Sequence, residues 1–319
     1  MQPIRIVIPG GSGQIGHLLA RRFHAEGHAV TVLSRRPQPS AWRTVFWDAR
    51  RPGDWIEELQ RADVCINLTG RSVNCRYNAA NRREILESRV QSTRLLNEVI
   101  ASSKTPPALW INASTATIYR HALDWPMDEA TGELGGNETN VPDTWKFSIV
   151  VAKAWEEAFF SVPAPFTRKV AIRSAMTFSP DRGGVFDVLA RLARRGFGGR
   201  QGRGGQYVSW IHEFDFVNAI RYLIDHEELC GPVNVASPDP VPNRDFMRIL
   251  REALGVRLGI PTPKWVLEIG AWLMRTESEL VLKSRRVVPG RLLASGFEFQ
   301  FPEWPAAARE LARRWRRTG

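Results

Sequence analysis

The sequence predicts a doubly wound α/β fold, in which helices cover both faces of a parallel sheet, with a smaller C-terminal α+β lobe. In the first half of the 319-residue chain, short runs rich in β-branched residues alternate with stretches of helical spacing. The short runs are apolar on both faces, as buried parallel strands are. A glycine-rich turn stands between the first short run and the first helical stretch.

The pattern places each element in order. Strands are predicted at residues 4–8, 29–33, 44–47, 64–68, 109–112 and 167–172, with shorter strand-like runs at 207–212 and 233–236. Helices are predicted from about Gln14 through the stretch HLLARRFHAEG, and at residues 79–103, 143–160 and 214–226. In the first helix Leu18, Leu19 and Phe23 share one face, and Gly27 can adopt the left-handed conformation that ends a helix.

The pattern changes after residue 172. A loop rich in glycine and arginine, RRGFGGRQGRGG, precedes the run at 207–212, and proline-punctuated turns such as GIPTP and FPEWP follow it. We therefore expect residues 1–172 and 206–236 to form the sheet domain. Residues 173–205 and 237–319 are expected to form the smaller lobe that packs against it.

Composition restricts the classes of partner. The net charge is +11 and the pI is near 10.3, but the arginines are scattered along the chain. We therefore favour a solvated basic surface and a small anionic ligand over nucleic acid. Cys65, Cys75 and Cys230 form no CxxC pair, so reduced thiols are expected and no metal site is predicted.

The sequence also predicts a cytoplasmic protein. Met1 leads directly into the run IRIVI and the glycine turn, which leaves no room for a cleavable signal peptide. The longest apolar stretch, WVLEIGAWLM, is interrupted by Glu268 and is too short to cross a bilayer.

The glycine turn VIPGGSGQIG predicts a dinucleotide phosphate site. Gly10, Gly13 and Gly16 have GxxGxxG spacing, and Gly11, Gly13 and Gly16 also satisfy GxGxxG. Glycine at these places lets backbone N–H groups and the helix N-terminus approach a pyrophosphate. The candidate cofactor residues here are Gly10, Gly11, Ser12, Gly13, Gln14, Ile15 and Gly16. The alternative is a tight turn that binds no ligand.

The end of the second predicted strand favours NADP(H) over NAD. An NAD site usually has an acidic residue there, which accepts a hydrogen bond from the ribose 2′-hydroxyl. This chain instead has Ser34, Arg35 and Arg36, and a guanidinium binds a 2′-phosphate with charge-assisted hydrogen bonds. The alternative is that both arginines are ordinary surface residues.

Motifs along nearly the whole chain resemble the extended short-chain dehydrogenase/reductase superfamily. They are GGSGQIG, NLTGRSV, REILESRVQST, INASTATIY, WIHEFD, GPVNVASPDPVPNRDF and VVPGRLLASGFEFQFPE. Within that superfamily the chain resembles the NAD-dependent epimerase/dehydratase-like branch that has a small C-terminal domain. The resemblance implies a Rossmann domain that binds NADP(H), with a small polar or anionic substrate between it and the C-terminal lobe.

The resemblance implies further cofactor residues. Asp48 and Ala49 correspond to the place where relatives contact the adenine amino group. Leu68, Thr69 and Gly70 close the fourth strand, and Ala113 closes the fifth; these residues should line the dinucleotide. Arg89 lies on the long helix where relatives carry a polar residue that faces the active centre. An inward arginine needs a partner, either a cofactor phosphate or the substrate, and a plain surface arginine is the alternative.

The catalytic residues carry over unevenly. Thr115, or Ser114 before it, matches the serine that orients the substrate, and Lys153 matches the lysine that binds the nicotinamide ribose. Relatives have a tyrosine four residues before that lysine, but this chain has Ile149, whose aliphatic side chain cannot move a proton. Moving the alignment by one residue does not restore a tyrosine and a lysine at this spacing.

Other polar groups and the glycine-rich loop receive weaker assignments. Tyr119, His212 and Asp215 are interpreted as structural, and the loop RRGFGGRQGRGG is interpreted as a flexible flap whose arginines meet an anionic ligand. The sequence therefore predicts an NADP(H)-binding oxidoreductase or epimerase-like enzyme without the usual tyrosine. The alternative is a non-catalytic NADP(H)-binding module that senses redox state or binds a protein partner.

Overall fold

A computed structural model describes residues 2–139, 141–273 and 277–317 of the chain. Its strands are β1 (Arg5–Pro9), β2 (Ala29–Ser34), β3 (Arg43–Phe46), β4 (Val64–Asn67), β5 (Leu109–Ala113), β6 (Arg168–Ser174), β7 (Met176–Phe178), β8 (Tyr207–Val208), β9 (Trp210–His212), β10 (Gly231–Val235) and β11 (Val241–Pro242).

Its helices alternate with these strands in the first half and dominate the second. They are α1 (Gln14–Ala25), α2 (Trp55–Gln60), α3 (Ala79–Ser102), α4 (Asp143–Phe160), α5 (Val185–Leu192), α6 (Glu213–Asp225), α7 (Asn243–Leu254), α8 (Lys264–Leu273), α9 (Glu279–Leu282), α10 (Gly290–Ala294) and α11 (Trp304–Trp315). The predicted elements of the first half are confirmed, with bounds that differ by a few residues at most.

The central sheet has seven parallel strands in the order β3-β2-β1-β4-β5-β6-β10. The order reverses next to β1, because the chain first builds outward through β2 and β3 and then returns to place β4 on the other side. In such a sheet, ligands bind at the carboxyl ends of the strands beside this reversal. The glycine turn after β1 lies there, so the predicted doubly wound Rossmann fold is confirmed.

Separate apolar layers cover the two faces of the sheet. On one face, Leu19 and Phe23 of α1 and Phe216 of α6 pack in a cluster with Ile8. On the other face, helices α2, α3 and α4 contribute to a cluster that contains Leu96 and Phe159. Every β4 residue and nearly every β5 residue is buried, which explains why these strands read as continuous apolar runs.

A third apolar cluster forms the core of the C-terminal lobe. Phe246 and Trp304 stack with ring centroids 4.2 Å apart, and Phe178 and Trp210 pack against Trp304. Two small sheets, parallel β7-β9 and antiparallel β8-β11, border this core together with α5, α7 and α11. The smaller α+β lobe is therefore present.

Three features differ from the sequence expectation, and the first is helix α2 (Trp55–Gln60), which was not predicted. The single strand expected at 207–212 is divided at Ser209, because residues 207–208 pair with β11 and residues 210–212 pair with β7 in a separate sheet. Strand β6 continues to Ser174, two residues beyond the expected end.

The apolar stretch WVLEIGAWLM forms α8 up to Leu273, and its last residue lies outside the described ranges. Among the residues that the structure describes, every helix is too short or too polar to cross a membrane.

Candidate cofactor and substrate site

The glycine turn connects β1 to α1 in a conformation that side chains would obstruct. Gly10 has a φ of +74°, and a Cβ on it would lie 2.7 Å from Thr69 Cα. A Cβ on Gly16 would lie 2.3 Å from Gly11 Cα. Gly13, the N-cap residue of α1, is exposed, and a Cβ on it would meet only Gly10 O, at 4.0 Å. The turn therefore presents backbone N–H groups at a helix N-terminus, which is a geometry suited to a pyrophosphate.

The remaining residues of the turn have different surroundings. Ser12 is exposed, and Ile15 packs against the apolar core. Gln14 begins α1, and its Nε2 lies so close to Gly184 that a Cβ there would be 2.2 Å away. The loop before α5 therefore lies beside the glycine turn, which brings the C-terminal lobe to the candidate phosphate site.

The end of β2 provides two exposed guanidinium groups. Ser34 ends the strand, and its hydroxyl accepts a hydrogen bond from Arg36 N at 3.2 Å. Arg35 and Arg36 are exposed, and in the described part of the chain neither makes an ion pair with a carboxylate. Both side chains are free to bind an anionic group.

The turn after β3 is strained. The Asp48 carboxylate accepts hydrogen bonds from Arg50 N and Arg51 N, and the bond from Arg50 N is the main reason that the pKa of Asp48 is lowered. Ala49 adopts a φ of +62°, the left-handed region that disfavours residues with a Cβ. Strain of this kind often marks a ligand site, and this turn follows the third strand, beside the end of β2.

The loop after β4 contains a buried hydroxyl that lacks a partner. Leu68 N donates to Pro9 O at 2.8 Å, and Asn67 Oδ1 accepts from Thr69 N at 3.1 Å, so the loop lies against the glycine turn. Within the described residues, the buried Thr69 Oγ1 has no hydrogen-bond partner. Burying such a group costs free energy unless a ligand binds it.

Arg89 of α3 lies under this loop. A Cβ on Gly70 would lie 3.0 Å from Arg89 Cζ, and the guanidinium carbon is 5.1 Å from the centroid of the Trp155 ring. Arg89 Nη1 donates to Ile85 O at 2.9 Å. Of the two alternatives that the sequence left open, these contacts favour an inward arginine over a plain surface arginine.

Ser114 faces away from the open edge of the sheet. It follows Ala113, the last residue of β5, and its buried hydroxyl donates to Glu156 Oε1 at 2.6 Å. Glu156 also forms a bidentate ion pair with Arg173, at 2.8 Å to Nε and 2.7 Å to Nη2. Arg173 Nη1 in turn donates to the Tyr119 hydroxyl at 2.9 Å. Ser114 and Tyr119 thus belong to one buried network that joins β6 to α4.

Thr115 has the more accessible hydroxyl. It is partly exposed, and its Oγ1 accepts a hydrogen bond from Thr117 N at 3.1 Å. This bond uses the oxygen as an acceptor, so the Thr115 O–H remains available as a donor. Of the two hydroxyl groups that the sequence proposed, that of Thr115 is better placed to orient a ligand.

The position of the missing tyrosine is closed by a loop. Ile149 is 1% exposed, and a Cβ on Gly135 would lie 2.6 Å from its Cδ1. A Cβ on Gly136 would lie 3.4 Å from Ile149 Cγ2 and 3.5 Å from Lys153 Nζ. Residues 135–136 therefore pack directly on Ile149, while Lys153 is partly buried beside them.

The C-terminal segment adds charged groups that the sequence analysis did not select. Lys283 Nζ donates to Thr117 O at 2.8 Å, and Arg285 Nε donates to Thr117 Oγ1 at 3.1 Å. On the side of α4, Ser148 Oγ donates to Glu279 Oε2 at 2.5 Å. These contacts hold the turn that carries Thr117, two residues after the candidate Thr115. The sequence signal that could have identified these groups is the presence of charged residues within the otherwise apolar run ELVLKSRRVV.

Burial shifts the pKa values of this cluster. It lowers the pKa of Lys283 to about 7, with a further lowering from Arg285, and only partial compensation from Glu279 and Glu138. It raises the pKa of the Glu279 carboxyl. Burial, and next the charge of Glu279, raise the pKa of Tyr77 to about 12. Ionising Lys283, Glu279 or Tyr77 within this cluster therefore costs more free energy than it does in water.

His212 and Asp215 connect the sheet domain to the C-terminal segment. His212 Nδ1 accepts from Phe214 N at 3.1 Å, so Nε2 carries the proton and donates to Glu310 Oε2 at 2.9 Å. The Asp215 carboxylate accepts from Gln300 N and Phe301 N. Both residues have the structural role that the sequence analysis assigned to them.

The glycine-rich and arginine-rich loop is not a free flap. Gln201 N donates to Asn243 Oδ1 at 2.7 Å, and Gly202 N donates to Thr262 O at 2.8 Å. A Cβ on Gly199 would lie 2.3 Å from Ile260 O, so the loop packs closely on the following chain. The expectation of a flexible flap is wrong, because backbone hydrogen bonds hold the middle of the loop.

Comparison with known proteins agrees with this architecture. Residues 6–236 match the family model described as NAD dependent epimerase/dehydratase family, and residues 262–311 match a domain of unknown function, DUF1731. The epimerase family protein SDR39U1 of Bos taurus is 33% identical over 97% of this chain and 99% of its own. The epimerase family protein YfhF of Bacillus subtilis is 27% identical over 97% and 98% of the respective chains.

A solved structure shows the same arrangement. The crystal structure of human epimerase family protein SDR39U1 with NADPH has a TM-score of 0.83 and 30% identity, and the match covers 97% of this chain and 99% of that one. The family match spans most of the described sheet domain, from β1 through β10. This chain belongs to the NAD dependent epimerase/dehydratase family.

Proposed function

We propose that this protein is an NADP(H)-dependent enzyme, of oxidoreductase or epimerase-like type, that acts on a small polar or anionic substrate. The observation that carries the proposal is the end of β2, where Arg35 and Arg36 stand without an ion pair in the described part of the chain. A carboxylate at this place would repel a 2′-phosphate. The human relative whose structure contains NADPH supports this assignment.

The residues present fit the cofactor at each part of the site. The glycine turn offers N–H groups for a pyrophosphate. The Thr69 hydroxyl has no hydrogen-bond partner among the described residues, and a bound ligand would supply one. Asp48 and Ala49 are proposed to border the adenine. The residues proposed to line the dinucleotide are Gly10, Gly11, Ser12, Gly13, Gln14, Ile15, Gly16, Ser34, Leu68, Gly70 and Ala113.

The substrate side of the proposal uses two residues. Bound nicotinamide would supply or accept a hydride. The Thr115 O–H would donate to a substrate carbonyl or alcohol oxygen, since Ser114 is committed to Glu156. Lys153 would bind the hydroxyl groups of the nicotinamide ribose. Ile149 has no proton to move, so the proposed reaction does not take its proton from that position of α4.

A second candidate function follows from the packing at Ile149. Residues 135–136 close the space in front of this side chain, where the resemblance to the short-chain dehydrogenase/reductase superfamily implies a catalytic phenol. A non-catalytic NADP(H)-binding protein, which senses redox state or binds a partner, would tolerate this closure.

Thermal unfolding with NADPH, NADP, NADH and NAD tests cofactor binding, because a ligand that binds the folded state raises the melting temperature. We expect NADPH to stabilise the protein more than NADH does. The double variant Arg35→Ala/Arg36→Ala should lose this preference and keep its response to NADH. Equal stabilisation of the unmodified protein by NADH and NADPH would refute the assignment of the two arginines.

Turnover separates the two candidate functions. A panel of aldehydes, ketones, alcohols and nucleoside diphosphate sugars should reveal either net oxidation of NADPH or reduction of NADP, or, for an epimerase, conversion of a substrate to its epimer with no net change in the cofactor. Thr115→Val should abolish this turnover, whereas Thr115→Ser, which keeps the hydroxyl, should retain it. Tight NADPH binding without any turnover would favour the non-catalytic function.

A further inference from the structure

Arg89 is a half-buried cation that has no anionic partner among the described residues. Its Cζ lies 3.0 Å from the place of a Cβ on Gly70 and 5.1 Å from the centroid of the Trp155 ring. Its Nη1 donates to the neutral Ile85 carbonyl. Within residues 2–139, 141–273 and 277–317, no carboxylate lies within ion-pair distance of Arg89. Charges taken partly out of water are normally paired, so this guanidinium is available to an anion from outside the chain.

Apart from the Ile85 carbonyl and the Trp155 ring, the described neighbours of Arg89 supply no negative charge at neutral pH. Burial lowers the pKa of Arg89 to about 10, and its other electrostatic neighbours are Tyr77 and Cys75. Burial also raises the pKa of Tyr77 to about 12, so its phenol is neutral at neutral pH. Cys75 is a free thiol and supplies no carboxylate.

Arg89 lies on the opposite side of β1 from the two arginines that follow β2. In the sheet order, Arg35 and Arg36 follow β2 and the glycine turn follows β1, so the proposed phosphate sites lie on that side. Gly70 lies after β4 on the other side of β1, next to β5, and Thr115 is the second residue after β5. Trp155 lies two residues beyond Lys153 on the same helix. Arg89 therefore lies on the side proposed for nicotinamide and substrate.

The geometry points to Arg89 as the residue that binds an anionic group of the substrate, a carboxylate or a phosphate, close to the carbon that reacts. This inference rests on the proposed function and specifies the chemical class of its substrate. A guanidinium binds either anion through two parallel N–H donors. Nη1 is engaged with Ile85, so Nε and Nη2 provide the pair of donors. The Thr115 hydroxyl would then meet the carbonyl or alcohol of the same molecule.

Matched probes that differ in charge test the inference on the full chain with saturating NADPH. The charged probes are pyruvate and dihydroxyacetone phosphate, and the neutral counterparts are methyl pyruvate and dihydroxyacetone. Sodium chloride at equal ionic strength controls for screening. Arg89→Met removes the charge, and Arg94→Met makes the same change at an exposed position of α3.

We expect at least one charged probe to raise the melting temperature of the unmodified protein and of Arg94→Met, while its neutral counterpart does not. Arg89→Met should lose this shift. Without probes, Arg89→Met should melt at or above the temperature of the unmodified protein, because an uncompensated enclosed charge has been removed. A structural arginine would give the opposite result.

Three results would overturn the inference: no shift from either charged probe, equal shifts within each pair, or a shift that survives in Arg89→Met. A NADPH titration by fluorescence separates the two sources of the anion. If Arg89→Met weakens NADPH binding by about tenfold, or about 1.4 kcal/mol, Arg89 binds a cofactor phosphate and the inference is wrong. If the unmodified protein fails to bind NADPH, the proposed function fails, and probe binding without cofactor still decides the role of Arg89.

Discussion

Restoring the missing phenol by Ile149→Tyr should destabilise the protein. The Ile149 side chain is 1% exposed, and its Cδ1 and Cγ2 lie 2.6 and 3.4 Å from the places of a Cβ on Gly135 and Gly136. A tyrosine side chain is longer and must displace this loop. Overpacking of this kind costs about 1–3 kcal/mol, whereas a volume-conserving change costs less than about 1.5 kcal/mol. We therefore expect a clear loss of stability and no new catalytic activity.

Urea unfolding measures the first part of this prediction. Ile149→Tyr should lower the unfolding midpoint by an amount equivalent to about 1–3 kcal/mol, with an unchanged slope. Ile149→Leu, which keeps the volume, is the matched control and should unfold closer to the unmodified protein. NADPH turnover is measured on the same samples. If Ile149→Tyr is as stable as the unmodified protein and gains turnover, residues 135–136 do not close the site, and our explanation of the missing tyrosine fails.

Two further substitutions test the buried polar groups. In the unfolded chain Lys283 has the ordinary lysine pKa of 10.5, whereas in the folded protein its pKa is about 7. Between pH 7 and 9 the unfolded chain therefore keeps a proton on Lys283 that the folded protein has released. This group therefore makes stability rise with pH, by at most about 1.4 kcal/mol per pH unit. Lys283→Met should flatten the profile of unfolding free energy against pH, and parallel profiles would contradict this. Arg173→Met should lower the unfolding free energy by about 3–5 kcal/mol, because Glu156 stays buried without its ion pair. Adding Glu156→Leu should recover most of that loss in urea unfolding; an unchanged single variant would contradict the assignment.

The fold could be predicted because its evidence is local. Helix α4 begins and ends where its apolar spacing and the following break indicate. The strands of the sheet are buried on both faces, so their sequences contain almost uninterrupted apolar runs. The glycine turn requires glycine at short, regular spacing, which a reader of the sequence can recognise. The wrong expectations, a single strand at 207–212 and a free flap at 194–205, concern segments whose partners lie elsewhere in the chain.

The candidate site was predicted in part. To predict that Ser34, Arg35 and Arg36 stand at the end of β2, it was enough to recognise where the strand ends. The structure confirms that β2 ends at Ser34. The distinction between Ser114 and Thr115 could not be made from the sequence. It depends on the contact between Ser114 and Glu156, which lie 42 positions apart. No local pattern encodes a contact at that separation.

The sequence by itself determined the main strands and helices of the first half, the glycine turn and the absence of a phenol at position 149. These properties depend on residues within one or two turns of each other. Only the tertiary structure decided which charges lack partners and which spaces are filled. Lys283 and Thr117 meet across 166 positions, and the enclosure of Arg89 requires Gly70 and Trp155 from separate elements. Desolvation depends on the whole set of packed neighbours, and folding brings that set together.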